Sequence, residues 1–201
     1  MDNWLELNYA RDMLEILDHQ EIRQRMHRLS VRFYNQLGEM GLLPKQTELI
    51  RGYLIHKMSK SPLHLGITLQ LYNWFLKNLP SGFTPRIEGP LTLKDSVPEP
   101  DVSVVKGDAR DYWSEHPKTA ELVVEVAVSS LTQDREMAAI YAEADVAEFW
   151  IVMAAGREVE VYRKPTPLGF TERRIYCVGE VIRCESLPGI EIPVAQLFSM
   201  L

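Results

Sequence analysis

Glu121-Leu122-Val123-Val124-Glu125-Val126-Ala127-Val128 is the stretch on which the reading of this chain turns. Its apolar run is that of a buried strand, interrupted by a single acid. An isolated ionised carboxylate is costly in such a place, so Glu125 must be paired, protonated or bound to metal. Ser129-Ser130 ends the strand. Ser130 and Gln133 have the spacing of a capping box, which predicts a helix from there to about Ala144. Glu148-Phe-Trp-Ile-Val-Met then reads as another buried strand.

Upstream lies a second acid of the same kind. Asp101 opens the strand Asp101-Val-Ser-Val-Val, directly after the stiff entry Val97-Pro98-Glu99-Pro100. If the two strands are neighbours, Asp101 and Glu125 converge at one sheet edge. Two such carboxylates suit a hard cation such as Mg²⁺, which accepts few protein carboxylates and keeps its waters. Such an ion can activate water and stabilise an in-line phosphoryl displacement. On composition alone, the plainer reading is a turn residue and a salt-bridge partner. The facing of Glu99 stays open.

Farther out, Glu48–Lys57 reads as a strand or a tight strand pair around Gly52. Ser61-Pro62 begins a helix with Pro at its first position. That helix carries His64, Leu65, Leu69, Leu71, Tyr72, Phe75 and Leu76, and Pro80-Ser81-Gly82 ends it. Short strands are expected at 84–89, 91–94 and 101–105, then a polar loop over 106–119, where Tyr112 and Trp113 read as anchors. Residues 157–163, 170–178 and 181–185 alternate like antiparallel strands. Pro188-Gly189-Ile190 leads into a short C-terminal helix ending at Leu201. Residues 4–41 look helical, from Trp4, Leu7, Met13, Leu14 and Leu17 into Ile22, Met26 and Leu29. Ser30 is expected to cap a second helix from Val31 to Met40, closed by Gly41.

The bulk properties bound the classes. The 201 residues are 46% apolar and 25% charged, ordinary globular usage. No run of about 18 apolar residues exists, so no membrane span is expected. The first residues show no signal-peptide pattern, which makes a cytoplasmic location the default. Cys177 and Cys184 flank an expected hairpin turn at Gly179-Glu180, out of register for a cross-strand bridge, so both read as free thiols. The net charge of −6 argues against a general nucleic-acid coat protein. It leaves room for an enzyme with a local basic face.

Seven pieces then occur in order: Glu48-Leu-Ile-x-Gly, Ser-Pro-x-His64, Pro100-Asp101-Val-Ser-Val-Val, Leu-Val-Val-Glu125-Val, Asp134-Arg135-Glu136, Tyr141-Ala and Glu148-Phe-Trp-Ile-Val. Together, over about residues 31–200, they resemble the Uma-two family of restriction-endonuclease-like proteins, of the PD-(D/E)XK nuclease-like fold. The resemblance implies an α/β domain over 42–201, a mixed β-sheet flanked by helices, with an N-terminal helical extension over 1–41. It implies a Mg²⁺ or Mn²⁺ cofactor held by Asp101 and Glu125, with Glu48 as a third acid, and DNA as substrate. His64 reads as a phosphate contact or a structural histidine. A homodimer through the N-terminal helix is a further expectation.

The chain departs from the active pattern in one respect. The nuclease signature needs a Lys near the carboxylates. Two residues after Glu125 stands Ala127, and four before Tyr141 stands Met137. Arg135 lies about 200° around the helix from Met137, so it is a poor substitute. Met137 and Tyr141, with Ile140 and Ala144, read as core packing. Losing one positioned cation costs on the order of 10²–10³ in rate. Lys57 or Lys60 could bring charge from another direction, although a solvated strand end is the plainer reading. Two functions follow: a Mg²⁺-dependent endonuclease, or a weak or silent nuclease-fold protein that binds a nucleic acid or a protein.

Overall fold

A computed structural model describes residues 19–199. Of the helix expected from Trp4 to about Leu29, the part before residue 19 lies outside the described residues, and of the rest Gln20–Arg25 is helical. Helix α1 (Gln20–Arg25) and helix α2 (Val31–Glu39) come first. Ser30 caps α2 by accepting from the Phe33 N–H at 3.2 Å. Strands β1 (Thr47–Ile50) and β2 (Tyr53–His56) form a hairpin. Arg51 and Gly52 both have positive φ, as a two-residue hairpin turn requires. Tyr34 of α2 is buried with Leu49 and Val97, and its hydroxyl donates to the Thr47 carbonyl.

Helix α3 (Pro62–Asn78) starts as expected, with Ser61 as cap and Pro62 inside the first turn. Six strands then build the central sheet in chain order: β3 (Phe83–Ile87), β4 (Val102–Lys106), β5 (Leu122–Ala127), β6 (Glu148–Met153), β7 (Glu158–Thr166) and β8 (Gly169–Cys177). All neighbours are antiparallel except β5 and β6. That parallel pair needs a crossover, and helix α4 (Leu131–Glu143) supplies it.

The two helices cover opposite faces. Ile67, Leu71 and Phe75 of α3 pack on Leu122, Val124, Val126 and Trp150. Ile140 and Tyr141 of α4 pack on Val123, Ala127, Phe149 and Ile151. Strand alternation therefore turns Glu125 to the α4 side. The architecture is mixed α/β with a six-stranded mixed sheet, as the sequence suggested.

Five local expectations fail. Leu91–Lys94 is no strand: the Leu91, Thr92 and Leu93 N–H groups go to Pro98, Pro117 and Ser96, so an alternating pattern serves a loop. The turn at Gly179 does not join a hairpin. Strand β9 (Val181–Arg183) leaves β8 and pairs with β10 (Glu191–Pro193), which runs into α5 (Val194–Leu197). The C-terminal helix thus ends well before Leu201. Ser130 makes no capping bond at the start of α4; its hydroxyl donates instead to Asp134. In the polar loop, Asp108 caps a 3₁₀ turn at Ala109–Tyr112, and Tyr112 ties to the Lys106 carbonyl, but Trp113 is 81% exposed and anchors nothing. Cys177 and Cys184 are free.

Candidate active site

The β4–β5 register pairs Val102 with Val124 and so places Asp101 opposite Glu125. The link is direct: the Asp101 N–H donates to Glu125 Oε2 at 3.1 Å. The reverse tie is Val126 N–H to Asp101 Oδ2 at 2.8 Å. Asp101 sits at the bend between Pro100 and the first strand residue, Val102, so its carboxylate stands at the strand edge.

Helix α3 brings His64, whose Nε2 lies 2.9 Å from Asp101 Oδ2. Its place is set by the cap, since the His64 N–H donates to Ser61 Oγ at 3.2 Å. The β2–α3 connection brings Lys60 Nζ to 2.8 Å from Asp101 Oδ1 and 3.0 Å from Glu88. Helix α4 brings the Tyr141 hydroxyl, which donates to Glu125 Oε1 at 2.7 Å. Glu48 sits in an outer group: its Oε1 accepts from the Glu99 N–H at 2.6 Å and lies 3.5 Å from Lys57 Nζ. Lys57 donates to Glu99 at 2.6 Å, which settles the facing of Glu99. All six expected site residues, Asp101, Glu125, Glu48, His64, Lys57 and Lys60, line one cavity of about 150 Å³. Lys57 and Lys60 are therefore not a solvated strand end.

The two central acids are shifted in opposite directions. Burial pushes Asp101 up, but His64 and then Lys60 outweigh it, and the net shift is downward. Glu125 goes well above the usual carboxylate range. Its depth in the protein is the main cause, reinforced by the charges of Asp101 and Asp134; the Tyr141 and Asp101 hydrogen bonds oppose it without prevailing. Burial, with the charge of Asp101, also pushes Asp134 up to about 6, against the Ser130 hydrogen bond. Burial raises Glu48, and Lys57 offsets part of this. Burial pulls Lys60 down, yet Asp101 and Glu88 raise it more, so it stays an ammonium.

Sequence reasoning missed two of these groups. Tyr141 reads as core because its ring is buried on Phe149, 5.0 Å between centroids, yet its hydroxyl belongs to the site. Asp134 lines the cavity together with Met137 and Tyr141. The spacing 134, 137, 141 puts all three on one helix face, a signal that the sequence already holds. Arg135 points away, as its position on the helix suggests, and its Nε lies 3.1 Å from Glu160 on β7.

A family model described as "Putative restriction endonuclease", Uma2, matches residues 37–195. The chain belongs to the Uma2 family. A solved structure titled as a putative nuclease belonging to DUF820, from Anabaena variabilis, is similar to it with a TM-score of 0.69 at 17% identity. The match covers 85% of this chain and 98% of that one, and it shows a shared fold. No curated protein matches.

The Uma2 chain's donor set can be tested against a divalent ion. A carboxylate offers about four lone-pair sites. Three donors reach Asp101 and two reach Glu125, so both retain acceptor capacity. Mg²⁺ needs only one or two carboxylates and its own waters. Among the described residues Glu125 also has no cation of its own, a deficit that a divalent ion would remove. The Asp101–Glu125 pair fits such an ion. Among the described residues no three His, Cys, Asp or Glu side chains converge as a ready-made cage, and Glu48 is turned to Lys57 and Glu99 instead.

Proposed function

We propose that this chain is a divalent-metal-dependent endonuclease that hydrolyses phosphodiester bonds in DNA. The observation that supports it is the pair of facing carboxylates, Asp101 and Glu125, in a cavity that Lys57, Lys60 and His64 also line. Asp101 and Glu125 would hold the ion. Bound Mg²⁺ or Mn²⁺ would supply a Lewis acid for the phosphoryl oxygens and a water of lowered pKa.

The protein's own part is positioning and charge. Val126 N–H and His64 fix Asp101, and Tyr141 and Asp101 N–H fix Glu125, so the pair is organised before substrate arrives. Burial favours the protonated form of Glu125, and a bound cation would favour the carboxylate, which couples binding to pH. In hydrolysis, the water oxygen bonds to phosphorus as the ester P–O bond breaks. The attacking water's proton passes to bulk water, and the departing oxygen takes a proton up from bulk water. Lys57 puts an ammonium group on the cavity wall, held there by Glu99, and His64 Nε2 orients Asp101.

The test is cleavage of plasmid and linear DNA in Mg²⁺ and in Mn²⁺, beside Asp101→Ala and Glu125→Ala. The reading expects cleavage by wild type alone; cleavage that persists in both variants belongs to a contaminant. A second reading is favoured by Met137, which lines the cavity where the family pattern places a Lys. On that reading the chain is a weak or silent nuclease-fold protein that binds a nucleic acid or a protein partner. Isothermal titration without any Mg²⁺ or Mn²⁺ binding would favour this second reading.

A further inference from the structure

Helix α4 gives the cavity Gln133, Asp134, Met137 and Tyr141, none of them positively charged. Its Arg135 is engaged by Glu160 on another part of the sheet. Positive charge comes from other elements, and the two lysines that line the cavity are not equivalent. Lys57 is taken up by the outer acids, 2.6 Å from Glu99 and 3.5 Å from Glu48. Lys60 is the lysine that reaches the central pair, at 2.8 Å from Asp101 Oδ1.

Backbone and capping bonds flank Lys60 on both sides. The Lys57 N–H donates to the Gln46 carbonyl at 2.7 Å, just before it, and Ser61 caps α3, just after it. The Lys60 side chain is 24% exposed, so its charge is partly desolvated yet open to the cavity. An ammonium has three donors. Asp101 and Glu88 take two, which leaves one for a non-bridging phosphate oxygen.

We propose that Lys60 supplies from the β2–α3 connection the phosphate-facing positive charge that α4 lacks, so that the site works with Met137 in place. The proposal rests on the phosphodiester reading above. Lys60 keeps its protons throughout. It attracts the charge that builds on the phosphoryl oxygens while the water–phosphorus bond forms and the ester bond breaks. Its position on Asp101 also permits the opposite role, a plug that competes with the ion, and the two roles differ in sign.

Wild type, Asp101→Ala, Lys60→Ala and Lys60→Ala/Met137→Lys are compared in plasmid cleavage with Mn²⁺, and each is titrated calorimetrically with Mn²⁺. Lys60→Ala should cut roughly 10²–10³-fold more slowly while binding Mn²⁺ no more weakly than wild type. The double variant should regain at least about tenfold, because the charge returns from α4; a merely structural Lys60 would show no such rescue. Lys60→Ala cutting at the wild-type rate overturns the proposal. So does faster cutting with tighter Mn²⁺ binding, which makes Lys60 a plug, and so does a slow Lys60→Ala that Met137→Lys fails to rescue. Weakened Mn²⁺ binding by Lys60→Ala also overturns it, since Lys60 would then be organising Asp101. If wild type and Asp101→Ala behave alike, the phosphodiester reading falls and takes this proposal with it. If only Asp101→Ala is dead, the reading stands and the proposal alone has failed.

Discussion

Glu125 and Glu160 occupy one row of the sheet, joined through Ile151, and α4 packs over both strands. Yet the two acids are treated in opposite ways. Glu160 has no exposed surface because Arg135, Arg173 and Tyr162 close over it, with Arg173 and Tyr162 both at 2.7 Å. Despite the cost of burial, these bonds hold its carboxyl at about 2. Glu125 lies deep but keeps a surface on the cavity, and its neighbours include Asp101 and Asp134 rather than an arginine. A carboxylate whose charge is fully answered by the fold serves stability. A carboxylate left unanswered, at the end of a cavity, is poised for a ligand that the fold does not supply.

The largest expected effect separates these roles by activity. Glu125→Gln and Asp101→Asn should each lower Mn²⁺-supported DNA cleavage by about 10³-fold or more, some 4 kcal/mol. Glu160→Gln should leave the rate per folded molecule within about threefold of wild type, less than 1 kcal/mol. Cleavage by Glu125→Gln at a near-wild-type rate would erase the distinction.

Stability should divide them the other way. Glu160→Gln leaves two guanidiniums without their counter-charge. The loss should be about 2–3 kcal/mol, less than for a wholly buried pair because both arginines are half-exposed. In a chain of this size that lowers Tm by about 5–10 °C. Glu125→Gln replaces an acid whose charged form burial disfavours by a neutral amide of the same shape and should be neutral or mildly stabilising at pH 7.

The pH dependences have opposite signs. Glu160 is depressed from 4.5 to about 2, so its contribution is complete above about 4.5 and is lost as pH falls through 2. Glu125 is raised above 4.5, so the folded state retains a proton that the unfolded chain releases. The Glu125 contribution to stability therefore declines as pH climbs above 4.5, and Glu125→Gln removes that share, leaving the smaller declines of Asp134 and Glu48, which are raised too. Calorimetric melts from pH 2 to 8 should show the Glu160→Gln deficit shrinking toward pH 2 and the Glu125→Gln advantage growing toward neutrality.

Glu125 was legible in the sequence because it breaks a rule, an acid amid valines that seek burial. Asp101 was legible because Pro100 fixes how its strand begins. Strands β5 and β6 and the start of α3 follow from apolar runs and from Ser61-Pro62, both local signals. What failed depended on distant partners. Leu91–Lys94 alternates like a strand, but its N–H groups find Pro117, Pro98 and Ser96. The turn at Gly179 reads as a hairpin until β10, a strand ending in Pro193, takes β9 away. Lys60 looks solvated when its neighbours are Ser59 and Ser61, since Asp101 meets it only through the fold. Tyr141 was hidden by its ring: the apolar part fits a core pattern, and nothing local says where the hydroxyl goes.

Two tyrosines give the smallest and most selective probe of the contrast, because each acid has one. Tyr141 donates to Glu125 Oε1 and Tyr162 donates to Glu160 Oε2, both at 2.7 Å. Changing either to Phe keeps the ring and removes one hydrogen bond to a carboxyl group, at a cost of about 1–2 kcal/mol in stability. Their effects on activity should differ. The Tyr141 hydroxyl pulls the Glu125 pKa down against burial, so Tyr141→Phe lets it rise further. Glu125 must lose its proton to serve as a ligand, so the rising limb of the pH–rate profile should move to higher pH, with at most about a tenfold loss at neutral pH. Tyr162→Phe should weaken the fold by a similar amount and leave that limb where it is. Equal displacement of the limb in both variants would mean that the two acids are coupled through α4 as one network, and that the division between a structural and a functional carboxylate is not a real one.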